Sequence, residues 1–416
     1  MRFSTLGLHA DILAVLDSLG YQTPTPIQQA AIPEVLAGHD VMAGAQTGTG
    51  KTAAFALPLI ERHLMRETTE KAIRVLVLTP TRELAQQVHQ SFKKYSQGLG
   101  LSAVVAYGGA SINPQLEALN QGCDVLVATP GRLLELAIKG LIDLGTVETL
   151  VLDEADRMLD MGFIVDINRI LKRLPDTRQT LFFSATFNDD VFALSKTMLK
   201  QPKLIEVAPR NQAATKVEQR FFEVDNSRKA ALLAYLIGAK NWQQVLIFTR
   251  TKQAVDALTK ELEKDGISSA AIHGDKSQGA RDRGLAEFKT GKVRALVATD
   301  VAARGLDIQQ LQYVVNFELP YNAEDYIHRI GRTGRAGQAG LAVSLVSSKE
   351  KYLLKDVEKL TGEHFNLQWQ EGFEPNLLAQ EETNSPSRNT SKKNLRAKAL
   401  GQTGSAKAKR GKPRRR

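Results

Sequence analysis

The sequence predicts an α/β protein built of two doubly wound parallel-sheet domains in tandem, followed by a disordered basic C-terminal tail. Three observations carry this reading. Short β-branched runs that end in a turn alternate with helical patterns, which is the signature of doubly wound sheets. The rhythm occurs twice, on either side of a polar stretch without period, APRNQAATK at 208–216. The last residues abandon the rhythm for a basic, aromatic-free composition.

In the first half the strand candidates are DVMAGA at 40–45, RVLVLTP at 74–80, SAVVAYGG at 102–109, DVLVATP at 124–130, TLVLDEAD at 149–156 and TLFFSAT at 180–186. Their nearly continuous apolar character suits parallel strands covered by helices on both faces. The second half repeats the pattern with QRFFEVD at 219–225, QVLIFTRT at 244–251, SAAIHGD at 269–275, RALVATD at 294–300, YVVNFELP at 313–320 and GLAVSLVS at 340–347. The domains then span 1–208 and 217–368, with a linker at 209–216 and a tail at 369–416. From about Asn376 onward the chain lacks aromatic and β-branched apolar residues, so it cannot offset the entropy of ordering.

A content of 43% hydrophobic and 24% charged residues fits a soluble globular protein. No run of 18 apolar residues occurs, and the opening MRFSTLGLHADIL lacks a signal-peptide core, so the expectation is a cytoplasmic protein without membrane contact. The single cysteine, Cys123, excludes an internal disulfide and a Cys-cluster zinc site. Its place in CDVLVATP marks a buried structural thiol. Of 55 Lys and Arg, 12 lie in 387–416, which holds no acid, leaving 43 basic against 45 acidic residues in the rest. A nearly neutral folded part must bind any polyanion with locally placed groups.

The chemistry begins at the glycine-rich loop Ala45, Gln46, Thr47, Gly48, Thr49, Gly50, Lys51, Thr52. The N–H groups of Gly48, Thr49 and Gly50 suit a phosphate cradle at a helix N-terminus. Lys51 suits the β and γ phosphates, and the Thr52 hydroxyl suits Mg²⁺. The general pattern asks for glycine where this chain has Ala45. A strand precedes the loop and the apolar helical AAFALPLIERHL follows it, which weighs against a coincidental glycine turn. The run Leu150-Val151-Leu152 leads into Asp153-Glu154-Ala155-Asp156. Acids at the end of a buried strand can serve as a Mg²⁺ partner through water (Asp153) and as the group that polarises attacking water (Glu154). The same cluster alone would suit a helix N-cap; the phosphate loop upstream favours catalysis.

On these motifs the sequence resembles the DEAD-box RNA helicases of superfamily 2, over nearly all of residues 1–360. The resemblance implies RecA-like domains, ATP and Mg²⁺ as cofactors, and structured or double-stranded RNA bound with little sequence preference. Phe3 and GYQTPTPIQ at 20–28 look like the family's adenine motif. The Gln28 amide can bond adenine in bidentate fashion, and Phe3 or Tyr21 can stack on its ring. Pro80, Thr81 and Arg82, then Gly108-Gly109, then Thr129, Pro130, Gly131 and Arg132, match the RNA-backbone motifs of the first domain. Ser184-Ala185-Thr186 resembles the element coupling the γ-phosphate site to RNA, with a hydrogen bond to Asp156 as its structural counterpart.

In the second half, HRIGRTGR at 328–335 sets cations three apart on one side of a helical turn. Arg332 and Arg335 are the expected arginine fingers and His328 a coupling residue. DVAARGLD at 300–307 resembles the motif that touches both ligands: Thr299 just before it for an RNA phosphate, Asp307 for the ribose region, Arg304 for holding the site together. Thr249, Gln278 and Arg281 are the side chains expected on RNA phosphates, although Gln-x-x-Arg by itself also describes a solvated helix face. His273 reads as a packing and turn residue. A phosphate loop and arginines for the same phosphates in opposite halves imply a nucleotide site completed by both domains.

The expected function is an ATP-dependent RNA helicase that separates short duplexes locally. An ATP-gated RNA clamp or assembly scaffold and a DNA-translocating motor are the alternatives. The stretches TPTPIQQAAIP, SINPQ, VLDEADRMLDMGFI, AKNWQQVLIFTRTK and AAIHGDKSQGARDR look most like the bacterial RhlE group. That likeness implies ribosome assembly or RNA remodelling, with pre-ribosomal particles or RNA-decay proteins as partners of a monomer. The tail reads as a flexible basic arm that tethers RNA.

Overall fold

Each apolar run noted above forms a strand in the computed structural model, which describes residues 2–44, 49–66, 70–187, 189–206, 217–303, 308, 311–334 and 340–376. The chain divides into two compact units. The stretch 209–216, read as the linker, lies outside the described residues.

The first unit holds β1 Val41–Gly44, β2 Val75–Leu78, β3 Ala103–Ala106, β4 Val125–Ala128, β5 Thr149–Leu152, β6 Gln179–Ser184 and β7 Lys203–Glu206. They form one sheet in the order β3-β4-β2-β5-β6-β1-β7, every pair parallel. The second unit holds β8 Val217–Glu223, β9 Val245–Thr249, β10 Ser269–Ile272, β11 Ala295–Thr299, β12 Tyr313–Asn316, β13 Gly340–Val346 and β14 Leu367–Gln368. Their order is β10-β11-β9-β12-β13-β8-β14, again all parallel. Adding seven to each strand of the first sheet reproduces the second, so one topology is used twice.

Burial explains why the central strands are nearly continuous apolar runs. Along the first sheet Val77, Val127, Val151 and Leu181 enter one apolar cluster, while Leu76, Leu126, Leu150 and Phe182 enter another. Successive side chains point to opposite faces, and both faces are covered. Each such leucine or valine stabilises the fold by about 1.5–3 kcal/mol through burial. Cys123 is buried in one of these clusters, and burial pushes its thiol up to about 12, which makes it structural.

Two features depart from the sequence reading. Strands β7 and β14, each at a sheet edge, were not anticipated. In β7 only Ile205 is buried, and β14 has two residues, so neither shows an apolar run. The tail also starts later than 369. Trp369 donates its indole N–H to Glu223 at 3.4 Å, Phe373 lies under the Arg228 guanidinium at 5.3 Å, and the Asn376 N–H reaches Asp225 at 3.0 Å. Two aromatics hold residues 369–376 on the second unit; the basic tail beyond 376 lies outside the described residues.

The repeated topology sets two lysines at comparable places. Lys51 opens the helix Lys51–Leu64 after β1, and Lys229 opens the helix Lys229–Ala239 after β8. In the second unit that place is filled internally. Lys229, fully buried, donates to the Phe317 carbonyl at 2.9 Å and pairs with Glu350. Arg250 bridges Glu350 at 3.2 Å and Glu318 at 3.0 Å. A carboxylate of the protein therefore occupies the cation that the first unit leaves open.

Candidate functional site

In both units the motifs collect where strands end and helices begin. Thr81 caps the helix Arg82–Tyr95 by accepting from the Leu84 N–H at 3.2 Å, and Thr251 caps Lys252–Lys264 by accepting from Ala254 at 3.1 Å. Ser277 and Asn322 do the same for Gln278–Lys289 and Ala323–Ile330. Each cap turns a helix N-terminus, with its free N–H groups and positive dipole end, toward the C-terminal rim of the sheet. Strand order then sorts the chemistry. The phosphate loop after β1, Ser184 to Thr186 after β6 and Asp153-Glu154 after β5 are neighbours. The candidate RNA motifs follow β2, β4 and β3 on the other half of the same rim.

The phosphate loop is described only from Thr49 onward; Ala45, Gln46, Thr47 and Gly48 lie outside the described residues. Gln28 is buried, accepts from the Thr25 N–H at 2.9 Å and donates to the Gly50 carbonyl at 3.1 Å. One N–H and one lone pair of its amide remain for a base edge. The two candidate stacking rings differ in access: Phe3 belongs to the apolar cluster, whereas Tyr21 is 39% exposed. Gly50 adopts φ +94°, and a Cβ there would collide with Gln28 Nε2. Gly50→Ala is expected to weaken ATP binding about tenfold, because strain of about 1–2 kcal/mol is added and the Gln28 amide is displaced. Equilibrium titration with a fluorescent ATP analogue checks this; affinity within twofold of the parent would refute the link between Gly50 and Gln28.

Lys51 and Asp153 face a shortage of partners. Lys51 is 6% and Asp153 2% exposed. Neither Lys51 Nζ nor Asp153 Oδ1 has a hydrogen-bond partner among the described residues. Burial pushes the Asp153 carboxyl up to about 6, opposed by the Lys51 ammonium and reinforced by the Glu154 carboxylate. A buried cation and a buried acid left open are unfavourable unless a ligand completes them. The donor set of ammonium, carboxylate and the adjacent Thr52 fits a magnesium-bound polyphosphate. Glu154 sits at φ 56°, ψ 51°, a left-handed conformation rare for a residue with a side chain. It joins β5 to the helix Ala155–Asp160 and turns the chain sharply there. Asp156 accepts from the Ala185 N–H at 3.3 Å and from the Thr186 hydroxyl at 3.2 Å, while Ser184 donates to the Thr186 carbonyl at 2.7 Å. The acidic motif and the Ser184–Thr186 element are thus one bonded unit, as the sequence suggested.

On the RNA half, Arg82 and Gly109 meet: the guanidinium donates to the Gly109 carbonyl at 3.4 Å, and Gly109, at φ +71°, leaves the space it fills. Three of the expected RNA-contact side chains are turned inward. Arg132 is buried and donates to Gln115 at 2.9 Å and to the Ala110 carbonyl at 2.8 Å, with Glu135 at 3.0 Å. Its guanidinium is spent on holding the loop after β3 in place. Thr249 is fully buried, with its hydroxyl donating to the Thr251 carbonyl at 3.3 Å, and Arg281 is also buried. Long-range packing took these side chains inward, which local spacing does not reveal. Thr81, Pro80, Thr129, Pro130 and Thr299 are buried as well, so they offer the rim backbone more than side chain, while Gly131 is exposed. Gln278 is half-buried and donates to Asp282 at 2.9 Å.

The second unit holds a residue the sequence reading passed over. Arg329 is 1% exposed and forks onto Asp300 at 2.5 and 2.7 Å. It also reaches Asn316 at 3.0 Å and the Glu318 carbonyl at 2.6 Å, above the Phe248 ring. The HRIGRTGR run is thereby tied to the start of DVAARGLD. The signal was present, since Arg329 and Asp300 stand inside both motifs, but their pairing needs the fold. Arg332 is buried and His328 half-buried; Arg335, Arg304 and Asp307 lie outside the described residues. His273 bonds Asp256 at 3.1 Å and accepts from the Asp275 N–H at 3.4 Å, as a turn residue should.

Comparison with known proteins agrees with this arrangement. Residues 25–194 match the DEAD/DEAH box helicase family and residues 228–337 the helicase conserved C-terminal domain. The "ATP-dependent RNA helicase DeaD" of Escherichia coli (strain K12) is 43% identical over 358 residues, 86% of this chain and 56% of that protein. The chain therefore spans little more than half the length of that relative. The "RNA helicase CrhR" of Synechocystis sp. is 45% identical over 357 residues, 86% of this chain and 72% of that protein. Both carry names other than RhlE. Among solved structures, S. cerevisiae Dbp5 bound to RNA and ADP BeF3 superposes with a TM-score of 0.79 at 30% identity, covering 96% of this chain and 99% of that one. Among the described residues, no helix is long and apolar enough to cross a membrane.

Proposed function

The chain belongs to the DEAD-box RNA helicase family, and from that premise we propose that it is an RNA-stimulated ATPase that separates short RNA duplexes locally. The observation that carries the reading is the buried pair Lys51 and Asp153, whose Nζ and Oδ1 have no hydrogen-bond partner among the described residues, where the phosphates and metal of ATP would complete them.

In this proposal Gln28 and Tyr21 select adenine, the N–H groups ahead of Lys51 and its ammonium hold the phosphates, and Thr52 and Asp153 hold Mg²⁺. When bound, the metal neutralises charge on the β and γ phosphate oxygens. Glu154 orients the attacking water and accepts its proton. Asp156 and Thr186 transmit the state of the γ-phosphate site toward the RNA half of the rim. Arg332, with Arg335, is assigned to the charge developing on the transferred phosphoryl, a contribution of about 10³–10⁵ in rate. The setting in ribosome assembly or RNA remodelling, and the partners there, rest on the RhlE resemblance alone.

The decisive experiment measures ATPase with and without RNA in parallel with displacement of a short RNA duplex. ATP-dependent displacement together with RNA-stimulated hydrolysis supports the helicase. Stimulated hydrolysis with no displacement indicates an ATP-gated clamp, and equal stimulation by DNA a DNA motor. For the tail, about six engaged cations at a slope of roughly −0.7 each predict a log–log salt dependence near −4 for RNA binding. Deleting 387–416 is expected to flatten that slope and leave basal ATPase intact. An unchanged slope would show that the tail is no tether.

A further inference from the structure

Both tryptophans of the chain, Trp242 and Trp369, line one groove of about 570 Å³ on the second unit. That volume suits a small ligand such as a nucleotide. The groove runs along one face of β8 beside the edge strand β14. Because β14 pairs only with Phe221 and Phe222, the first residues of β8 have no outer strand among the described residues, and the groove stays open there. Trp242 is 5% exposed and stacks on Tyr313 with ring centroids 4.9 Å apart and planes at 18°, which makes a rigid floor. Trp369 is 54% exposed, with its indole oriented by the bond to Glu223.

The polar lining has a definite chemistry. Among the described residues its one acid, Glu218, is held by Arg220 at 2.5 Å, so exposed Lys240 gives the groove a net positive charge. Gln312, Gln368 and Gln370 supply amides, each able to donate and accept. An exposed ring for stacking, a cation for the backbone and amides for base edges are the means by which single-stranded nucleic acid is held. The chain also leaves the described unit at Asn376, six residues past Gln370, so the 12 cations of 387–416 are tethered nearby in sequence.

We propose that this groove is a second RNA subsite, which takes one or two unpaired nucleotides by stacking a base on Trp369 and placing phosphate against Lys240. The inference rests on the RNA-binding reading above and adds a site outside the rim motifs.

The test uses the full chain, without nucleotide, and a fluorescein-labelled single-stranded RNA of about ten nucleotides, followed by anisotropy and by tryptophan emission. Binding is expected to quench the tryptophans. Trp369→Ala should weaken RNA binding about fivefold or more, the fold-change of losing one base stack. Trp369→Phe should retain most of the affinity, and ATP turnover at saturating RNA should match the parent in both. Since Trp369 is 54% exposed and Phe373 still anchors the segment, the variants should unfold within about 5 °C of the parent. Anisotropy that reports binding, with unchanged emission and Trp369→Ala within twofold of the parent, would overturn the subsite and leave the helicase reading standing. Quenching by an unrelated peptide and not by RNA would also overturn it. No RNA binding by any measure would overturn both readings.

Discussion

Glu154→Gln is expected to lower RNA-stimulated ATP turnover about 10²–10⁴-fold, the usual contribution of a positioned base, while ATP and RNA binding persist. The amide keeps the shape and removes the proton acceptor. The backbone makes the position informative, because Glu154 holds φ 56° and ψ 51° at the turn between β5 and the next helix. Such a conformation costs about 1–2 kcal/mol for any residue with a Cβ. A strained residue at the mouth of a partner-deficient ionic site is the pattern of a functional constraint. Glu154→Gln should therefore unfold at the parent temperature. Glu154→Gly should be inactive too, yet more stable by about 1 kcal/mol, since glycine accepts the left-handed conformation. Full RNA-stimulated turnover in Glu154→Gln would remove Glu154 from the mechanism. Inactivity accompanied by a large loss of stability would mean that its role is in folding.

Glu350→Gln is expected to destabilise the second unit by about 3–5 kcal/mol, because it strands the Lys229 ammonium in the interior. For a unit of this size that corresponds to a fall in melting temperature on the order of 10 °C. Burial alone would raise the Glu350 carboxyl; Lys229, beside and bonded to it, and then Arg250 outweigh burial and hold it below its ordinary value. Burial likewise lowers the Lys229 ammonium, with Glu350 opposing. A carboxyl lowered on folding contributes stability that is complete above its unfolded value and lost as pH falls through the folded one. Acid unfolding of the second unit should thus set in below about pH 4, the ordinary range of a glutamate, and Glu350→Gln should lose that step. Thermal and acid unfolding followed by circular dichroism read both effects. The double replacement Lys229→Met with Glu350→Leu should recover most of the stability, since an apolar pair of similar size needs no ionic compensation. A melting temperature unchanged in Glu350→Gln would show that the pair carries little.

Much of this architecture was legible beforehand. The strands Val75–Leu78 and Val125–Ala128 are apolar at every position because they are covered on both faces, a demand that each strand writes into its own residues. The Gly50 and Lys51 spacing and Asp153-Glu154 after β5 were equally plain, since a phosphate cradle and strand-end acids are local devices. Strands β7 and β14 escaped notice because an edge strand with one covered face has no such demand; in β7 only Ile205 is buried. Trp369 and Phe373 were assigned to the tail because their partners, Glu223 and Arg228, lie far earlier in the chain.

Arginine shows the division most sharply. Sequence spacing presented Arg132, Arg281, Arg329 and Arg332 as similar cations beside glycines and turns. The fold buried Arg132 against Gln115 and Ala110 and locked Arg329 onto Asp300. The difference is one of burial, and burial of a long side chain is decided by whatever distant segment arrives beside it.

By itself, then, the sequence determined the repeated strand–helix rhythm, the glycine-rich and acidic motifs at the strand ends, and a nearly neutral core with a basic tail. These follow from each residue's own chemistry and from its immediate neighbours. Tertiary structure alone decided that Lys51 stays open while Lys229 is answered by Glu350, and that two tryptophans from opposite ends of the second unit share one groove. Such pairings depend on groups more than a hundred residues apart being brought into contact and out of water, and no local pattern encodes that.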